Sequence, residues 1–553
     1  MRRLLALLLA CVLLALVQKY VVVHHGGAHR QQQSAGTVGP GCTPTTCQHG
    51  AEADGAAARA LAAETSTTMT RSLASSEQES ISCPTYSGPL FRKDTAQFAS
   101  VRGAKLASPY KGTPAAPRGW LQPFPLSAVH LLDGSRQWRS MRVNLEYLLS
   151  LEPDTLLWSW RRNANLRQPI GARAAGGWEA PDMELRGHFL GHWLSATAFQ
   201  WASSNDTRLE RRMRYVVGVM SQVARALGRG GSSGGGYLSA FPSEFLERYE
   251  RIAPVWAPYY TLHKVMAGLL DQYVFARSQP ALDLAAGLAG YIGRRVERLI
   301  ERRGIEHHWR TLDAEYGGMN DALWRLAALT GSADHRRWAS LFDKPCFLAP
   351  LAIKGNDELS GMHGNTHVPI ALGAIHRHEV TGEDVYMLLA EGFLDLLNTS
   401  RTFATGGSTH REEGGAANRL GHLLGAPPLG TVQQESCVTH NTLRLSSELF
   451  RATRRVRYAD FMERLQLNGV LGTQRGDRPG QMLYFYPLGT GVTKTRVGVE
   501  AGMTGWSHPT EYFSCCMGTG IEAHAKLQEA VFLTSITDGG SPGGSSRPPI
   551  ASR

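Results

Sequence analysis

Glu435 and Cys437 stand two residues apart in QQESCVTHN, and Cys515 and Cys516 are neighbours in EYFSCCMGTG. Together they offer three thiols and one carboxylate. Zinc takes four such donors in a tetrahedron, and thiolates dominate its sites. The spacing is not that of a zinc finger: no C-x2-C pair occurs, and Cys437 and Cys515 are 78 positions apart. Spacing alone therefore leaves open a metal site, two disulfides, or unpaired buried cysteines.

Other chemistry-bearing types surround these. In FATGGSTHREEGG, Gly406 and Gly407 allow a tight backbone, and Glu412 and Glu413 follow in a loop. A loop carboxylate by itself is more often solvated than catalytic. His188 and His192, at i and i+4, share one helix face and could pair on a metal, but the glutamate of an H-E-x-x-H site is absent, so that metalloprotease reading fails. Core or substrate-contacting imidazoles fit these two better, as they fit His263, His363 and His367. Trp178, Trp193, Trp256, Tyr259 and Tyr260 lie in the same segments. Aromatic faces beside His and Glu suit a sugar ring, whose C–H face stacks while its hydroxyls hydrogen-bond.

The elements that must position these groups read as helices. RVNLEYLLSLEPDTLLWSWRRNA, LGHWLSATAFQWA, RRMRYVVGVMSQVARAL, YYTLHKVMAGLLDQYVFA, MNDALWRLAALTG, VYMLLAEGFLDLL and NTLRLSSELFRAT all carry apolar residues at helical spacing. Strand-like alternation is scarce before MLYFYPL. Long helices alternating with Gly/Pro-rich loops predict an all-α helical barrel with its site at one end. No fixed repeat period supports a regular solenoid.

With 553 residues the chain has room for a large core. Its net charge of +11 is mostly arginine spread along the sequence. No basic block tracks a phosphate backbone, which argues against a nucleic-acid partner. MRRLLALLLACVLLALVQKYVVV has a basic start and an apolar run, predicting a signal peptide or a single N-terminal membrane anchor over residues 1–24, with a lean to the anchor. Either sends the chain into the secretory pathway, to be secreted or held in the Golgi with a lumenal catalytic domain. The triplets Asn205-Asp206-Thr207 and Asn398-Thr399-Ser400 agree. An oxidising compartment would let Cys42 and Cys47 pair, while Cys346 reads as a buried small hydrophobe. Residues 25–120 read as a low-complexity stem, 121–530 as the helical domain and 531–553 as a disordered tail.

GGWEAPDMELRGHFLGHWLSA, VWAPYYTLHKVMAGLLDQY, EYGGMND, HGNTHVPIALG, ATGGSTHREE, ESCVTHNTLRLSSELF, GQMLYFYPLG and SCCMGTGIEAHAKL occur in this order. Over roughly Pro125 to Leu527 the chain thereby resembles glycoside hydrolase family 127, which contains β-L-arabinofuranosidases. The resemblance implies an (α/α)6 barrel and a substrate that is an arabinose-containing oligosaccharide or glycoprotein. It implies Zn2+ on Glu435, Cys437, Cys515 and Cys516, with Cys515 also the nucleophile. Glu412 would be the general acid/base; Arg411 replaces the glycine the family has before that glutamate, which keeps Glu413 as a second choice. His192, His263, His367 and Tyr484 would contact the sugar. A zinc-bound thiolate would attack one face of the sugar while the glutamate acts from the other, the retaining two-step scheme with sulfur as nucleophile. The resemblance further implies β-sandwich domains after the double-cysteine motif, whereas this sequence runs 26 residues past Leu527 in a Gly/Ser/Pro-rich tail. A catalytically inactive or carbohydrate-binding barrel is the alternative reading.

Overall fold

The computed structural model describes residues 120–229, 235–345, 347–348, 351, 359–410, 412–421, 432–489, 492–494, 505–529 and 531–535. The leader, the stem, Cys42, Cys47 and Cys346 lie outside them. Among the described residues no helix is long and apolar enough to cross a membrane.

Twelve helices build the body: α1 (Arg136–Ser150), α2 (His188–Ser204), α3 (Thr207–Arg229), α4 (Pro258–Ala276), α5 (Gln279–Arg303), α6 (Met319–Thr330), α7 (Ala333–Ser340), α8 (Gly364–Thr381), α9 (Asp384–Ser400), α10 (Ser436–Thr453), α11 (Val456–Arg464) and α12 (Cys515–Ala525). Shorter helices fill some of the connections. The even-numbered helices touch in sequence, α2 to α4, α6, α8, α10 and α12, and α12 returns to α2. That closes an inner ring of six. Each of α2, α4, α6, α8 and α10 packs against the odd-numbered helix that follows it, and α1 packs on α12 and α2. The result is the all-α (α/α)6 barrel expected from the sequence.

Burial explains which helix goes where. Every residue of α2 from His188 to Gln200 is buried, as is every residue of α8 from Asn365 to Arg377. A helix apolar on all sides belongs inside. In α3, by contrast, Leu209, Met213, Val216, Val217, Met220 and Val223 are buried on one stripe. Each such side chain contributes about 1.5–3 kcal/mol when buried. Helix ends follow local rules. Ser135 caps α1 and Ser332 caps α7 by accepting a backbone N–H. Gly331 and Gly382 end α6 and α8 in left-handed turns. Inner helices α2 and α4 approach to backbone contact: a Cβ on Gly191 would lie 2.4 Å from the Lys264 carbonyl carbon. Only glycine allows that approach.

Three two-stranded ribbons complete the unit. β1 (Leu121–Pro123) pairs antiparallel with β6 (Leu533–Ser535), a strand that falls in the stretch read as a tail. β2 (Thr409–His410) and β3 (Glu413–Gly414) form a hairpin around residues 411 and 412. β4 (Val432–Glu435) pairs with β5 (Phe485–Leu488), setting Glu435 opposite Phe485. The MLYFYPL alternation is the part of this visible in the sequence.

Part-way along the inner helices, a belt of buried polar groups spans the lumen. Ser195 of α2 donates to Asp271 of α4 at 2.7 Å, and Arg325 of α6 pairs with the same carboxylate. Asp321 of α6 holds His376 of α8 at 2.7 Å and Arg444 of α10 at 2.9 Å. Glu522 of α12 takes His192 of α2 at 2.6 Å and faces His440 of α10 at 3.5 Å. All six inner helices contribute.

Candidate active site

The site groups sit at the other level of the barrel, at or just before the first turns of the inner helices. His188 opens α2; Tyr260 and His263 lie in the first turns of α4; Glu315 precedes α6; His363 caps α8; Glu435 caps α10, whose second residue is Cys437; Cys515 and Cys516 open α12. Helix N-termini carry partial positive charge and unpaired N–H groups, so they favour thiolates and carboxylates. An alternating inner/outer barrel therefore brings such ends together.

Glu435, Cys437, Cys515 and Cys516 are all buried, and their ligand atoms all lie within 4.8 Å of one another. The three cysteines are free thiols. The Cys437 and Cys516 sulfurs are 3.0 Å apart, and Cys516 lies 3.8 Å from Glu435 Oε1. Thr519 donates to the Cys437 sulfur at 3.3 Å. Glu435 Oε2 is buried with no hydrogen-bond partner. An acidic cluster in which one oxygen lacks any partner fits a divalent cation, and three sulfurs with one oxygen suit zinc among the common ones. Of the alternatives open in the sequence, the disulfide is not what the structure holds at these three positions.

Burial pushes the Cys437 and Cys516 thiols and the Glu435 carboxyl well above their ordinary values. Burial also opposes ionisation of Cys515, but hydrogen bonding from Cys437, Cys516 and Tyr484 outweighs it and holds Cys515 well below the ordinary thiol value. Of the three thiols, Cys515 is the one drawn down.

Tyr484, in the residue before β5, connects this sulfur to the acid. Its hydroxyl donates to Glu412 Oε1 and lies 3.5 Å from the Cys515 sulfur. Glu412 occupies the β2–β3 turn at φ 69°, a left-handed conformation that turns its side chain inward. Its backbone carbonyl accepts from Gly364 N at 2.7 Å, fixing the turn against the start of α8. Burial raises the Glu412 carboxyl, His363 and Tyr484 partly offset this, and Cys515 adds to it. Glu413 is exposed in β3. Of the two adjacent glutamates, only Glu412 reaches the cysteines.

The four expected sugar contacts divide. Tyr484 lies at the centre. His263 is buried beneath Tyr260, their rings 5.2 Å apart, and its Nδ1 has no partner. His367 bonds the His363 carbonyl through Nδ1 at 2.8 Å and packs on Phe347. His192 lies lower, on Glu522, where a Cβ at Gly518 would come within 2.2 Å of its ring.

Two further residues belong to the site: His363, read in the sequence only as a core or substrate-contacting imidazole, and Glu315, which the sequence did not single out. His363 accepts from Thr366 N and lies 3.0 Å from the Thr366 hydroxyl, both through Nδ1. Its ligand atom lies within 4.8 Å of those of Glu412 and Glu435. Glu315 is a third carboxylate here, raised by burial, drawn down by His363 and raised again by Cys515. Their motifs, HGNTH and EYGGMND, were visible; their convergence on Glu412 was not.

Comparison with known proteins agrees with this geometry. A GH127 β-arabinofuranosidase superposes with a TM-score of 0.54 at 16% identity, covering 75% of this chain and 63% of that one. A GH127 β-L-arabinofuranosidase from Geobacillus stearothermophilus T6 gives 0.51 at 14% identity, covering 75% and 66%. At such identities the likeness is one of fold, and the chain spans about two thirds of the length of either structure. No curated protein matches. The profile described as beta-L-arabinofuranosidase, GH127 catalytic domain, matches residues 128–529, which take in every site residue above, and the chain belongs to that family.

Proposed function

We propose that the protein is a zinc-dependent retaining glycosidase that removes β-L-arabinofuranosyl or closely related residues from glycans or glycoproteins. The observation that carries the reading is the placement of the Tyr484 hydroxyl between the Cys515 sulfur and the Glu412 carboxyl, which it joins. These are the two functional groups a retaining mechanism needs, with sulfur in the place of the usual second carboxylate.

Glu435, Cys437, Cys515 and Cys516 would hold the zinc. A bound zinc keeps thiols ionised at neutral pH. Cys515 then forms a bond to the anomeric carbon as the bond to the leaving oxygen breaks. Glu412, whose neutral form desolvation favours, gives its proton to that oxygen. Once ionised, Glu412 takes a proton from water, which attacks the anomeric carbon and releases the sulfur. Two displacements retain the configuration. Tyr484 orients Glu412 in both steps, and the buried walls Leu185, Tyr260 and Phe485 keep bulk water from the sulfur.

Hydrolysis of a nitrophenyl β-L-arabinofuranoside, followed by NMR at the anomeric carbon, tests the reading. A β product formed first, together with one zinc per chain, is expected. An α product would refute the retaining scheme. Zinc with no turnover on this or related furanosides would favour the non-catalytic barrel.

A further inference from the structure

The aromatic residues of the site segments divide sharply by exposure. Trp193 and Tyr259 are buried core residues, and Tyr260 is a buried wall of the cysteine cluster. Trp178 and Trp256 remain part-exposed while packing against that same cluster. Their rings meet edge to face, with centroids 5.1 Å apart at 66°. Trp178 also contacts Tyr484, centroid to centroid 6.2 Å. Tyr484 in turn donates to Glu412. Tyr484 also lies 3.5 Å from the Cys515 sulfur, and Trp178 meets the His188 ring at 5.8 Å, so the pair borders the space between Glu412 and Cys515.

Both tryptophans are fixed by their backbones. Trp178 N donates to the Tyr512 carbonyl at 3.0 Å. The preceding Gly177 has φ +55°, and a Cβ there would lie 2.2 Å from that same oxygen, so glycine is required. Trp256 N donates to Glu184 Oε2 at 2.6 Å, and Glu184 is held by Arg248 at 2.7 Å. Ala257, directly after Trp256, is left-handed at φ 45°, as is Phe513 beside Tyr512 at φ 47°. Non-glycine residues in that region carry a cost that tends to persist at functional sites. Two large apolar rings kept partly exposed beside strained backbone are not explained by packing alone.

We infer that Trp178 and Trp256 form the leaving-group subsite, taking the first sugar ring beyond the bond that is cleaved. The inference rests on the glycosidase reading. The acid gives its proton to the leaving oxygen, so the group on that oxygen must lie beside Glu412. A corner of two indoles offers one face to the apolar C–H side of a sugar ring, while ring hydroxyls stay in water. The stacking surface is neutral and makes few directional bonds, so it favours a second neutral sugar over a small alkyl group.

The test compares two substrates. For wild type and for Trp178→Ala and Trp256→Ala, kcat/KM is measured on a β-L-arabinofuranosyl disaccharide and on the methyl β-L-arabinofuranoside. Wild type should prefer the disaccharide, and each variant should shrink that preference by about ten-fold, the equivalent of about 1.4 kcal/mol. A merely structural role would lower both substrates in proportion and leave the ratio unchanged, which would overturn the subsite. Calorimetric titration of Glu412→Gln with the intact disaccharide gives a readout independent of turnover. If wild type cleaves neither sugar, the glycosidase reading falls, yet weaker disaccharide binding in Glu412→Gln/Trp178→Ala would still support the aromatic subsite. Equal binding with and without Trp178 would overturn it in either case.

Discussion

The belt in the lumen and the cluster at the helix N-termini are built from the same kinds of residue and behave oppositely. In the belt every carboxylate faces cations or imidazoles. Burial opposes ionisation of Asp321, but Arg444, His376 and Arg325 overcome it and hold the carboxyl far below its ordinary value. Glu522 is likewise held down, against burial, by His192 and His440. In the cluster, Glu412 and Glu435 are both raised by burial and by Cys515, and Glu435 by Glu412 as well. Charge balance marks the belt as structural, and its absence marks the cluster as the place where a cation or substrate belongs.

The largest effect should come from the unbalanced region. Cys515→Ser is expected to lower kcat by about 10⁴-fold or more, as loss of a nucleophile does elsewhere, with the circular dichroism of the folded protein retained. Glu412→Gln should cost about 10²–10⁴-fold, less for substrates whose leaving group needs no proton. Glu413→Gln, in the exposed β3 position, should change kcat/KM by less than about two-fold, since surface substitutions away from such features have little effect. Equal losses at Glu412 and Glu413 would undo the assignment made from the turn.

The balanced region should respond in stability instead. Arg444→Ala takes one part-buried partner from the buried Asp321 and is expected to cost about 1–3 kcal/mol in urea unfolding. A drop in turnover without that loss would mean the belt takes part in the chemistry.

Acid separates the two regions by sign. Asp321 is depressed when folded, so its contribution is complete above the ordinary aspartate value of about 3.9 and is lost as pH falls toward the folded value. Glu435 is raised when folded. The proton it keeps is worth most below the ordinary glutamate value of about 4.3, and that contribution is lost as pH rises through the folded value. Zinc-free protein should therefore lose stability at both ends. Asp321→Asn should flatten the acid limb of Tm against pH, and Glu435→Gln the neutral limb. An unchanged neutral limb in Glu435→Gln would show that the carboxyl carries no excess proton. Zinc added to wild type should raise Tm, by about 2.7 kcal/mol of stabilisation at one hundred times Kd.

Much of this was legible in the residues. Apolar spacing gave the helices, while residue type left Glu435, Cys437, Cys515 and Cys516 open between a metal site, disulfides and buried thiols, and only the family resemblance grouped them on a metal. Between Glu412 and Glu413 only the register of the resemblance spoke for Glu412; that Glu412 turns inward beside Tyr484 depends on a left-handed φ that residue type does not reveal. His192 reads like His263 in the sequence, since both lie in inner helices rich in aromatics. What distinguishes them is the carboxylate of Glu522 on a helix some 330 positions away. The closeness of His363 to Glu412 and Glu435 was hidden for the same reason, those partners being brought to it by other elements. The β1–β6 pairing joins three-residue strands too short to show any alternation.

One measurement bears on Cys515 most directly. Zinc-loaded Glu412→Gln is incubated with an aryl β-L-arabinofuranoside whose leaving group departs without a proton, then digested and mapped by mass spectrometry. The first displacement should proceed and the second stall, for want of a base. One pentosyl unit on the peptide bearing Cys515, located on that sulfur, is the predicted result. Aryl release with no sugar on Cys515, or with the sugar on another side chain, would contradict it.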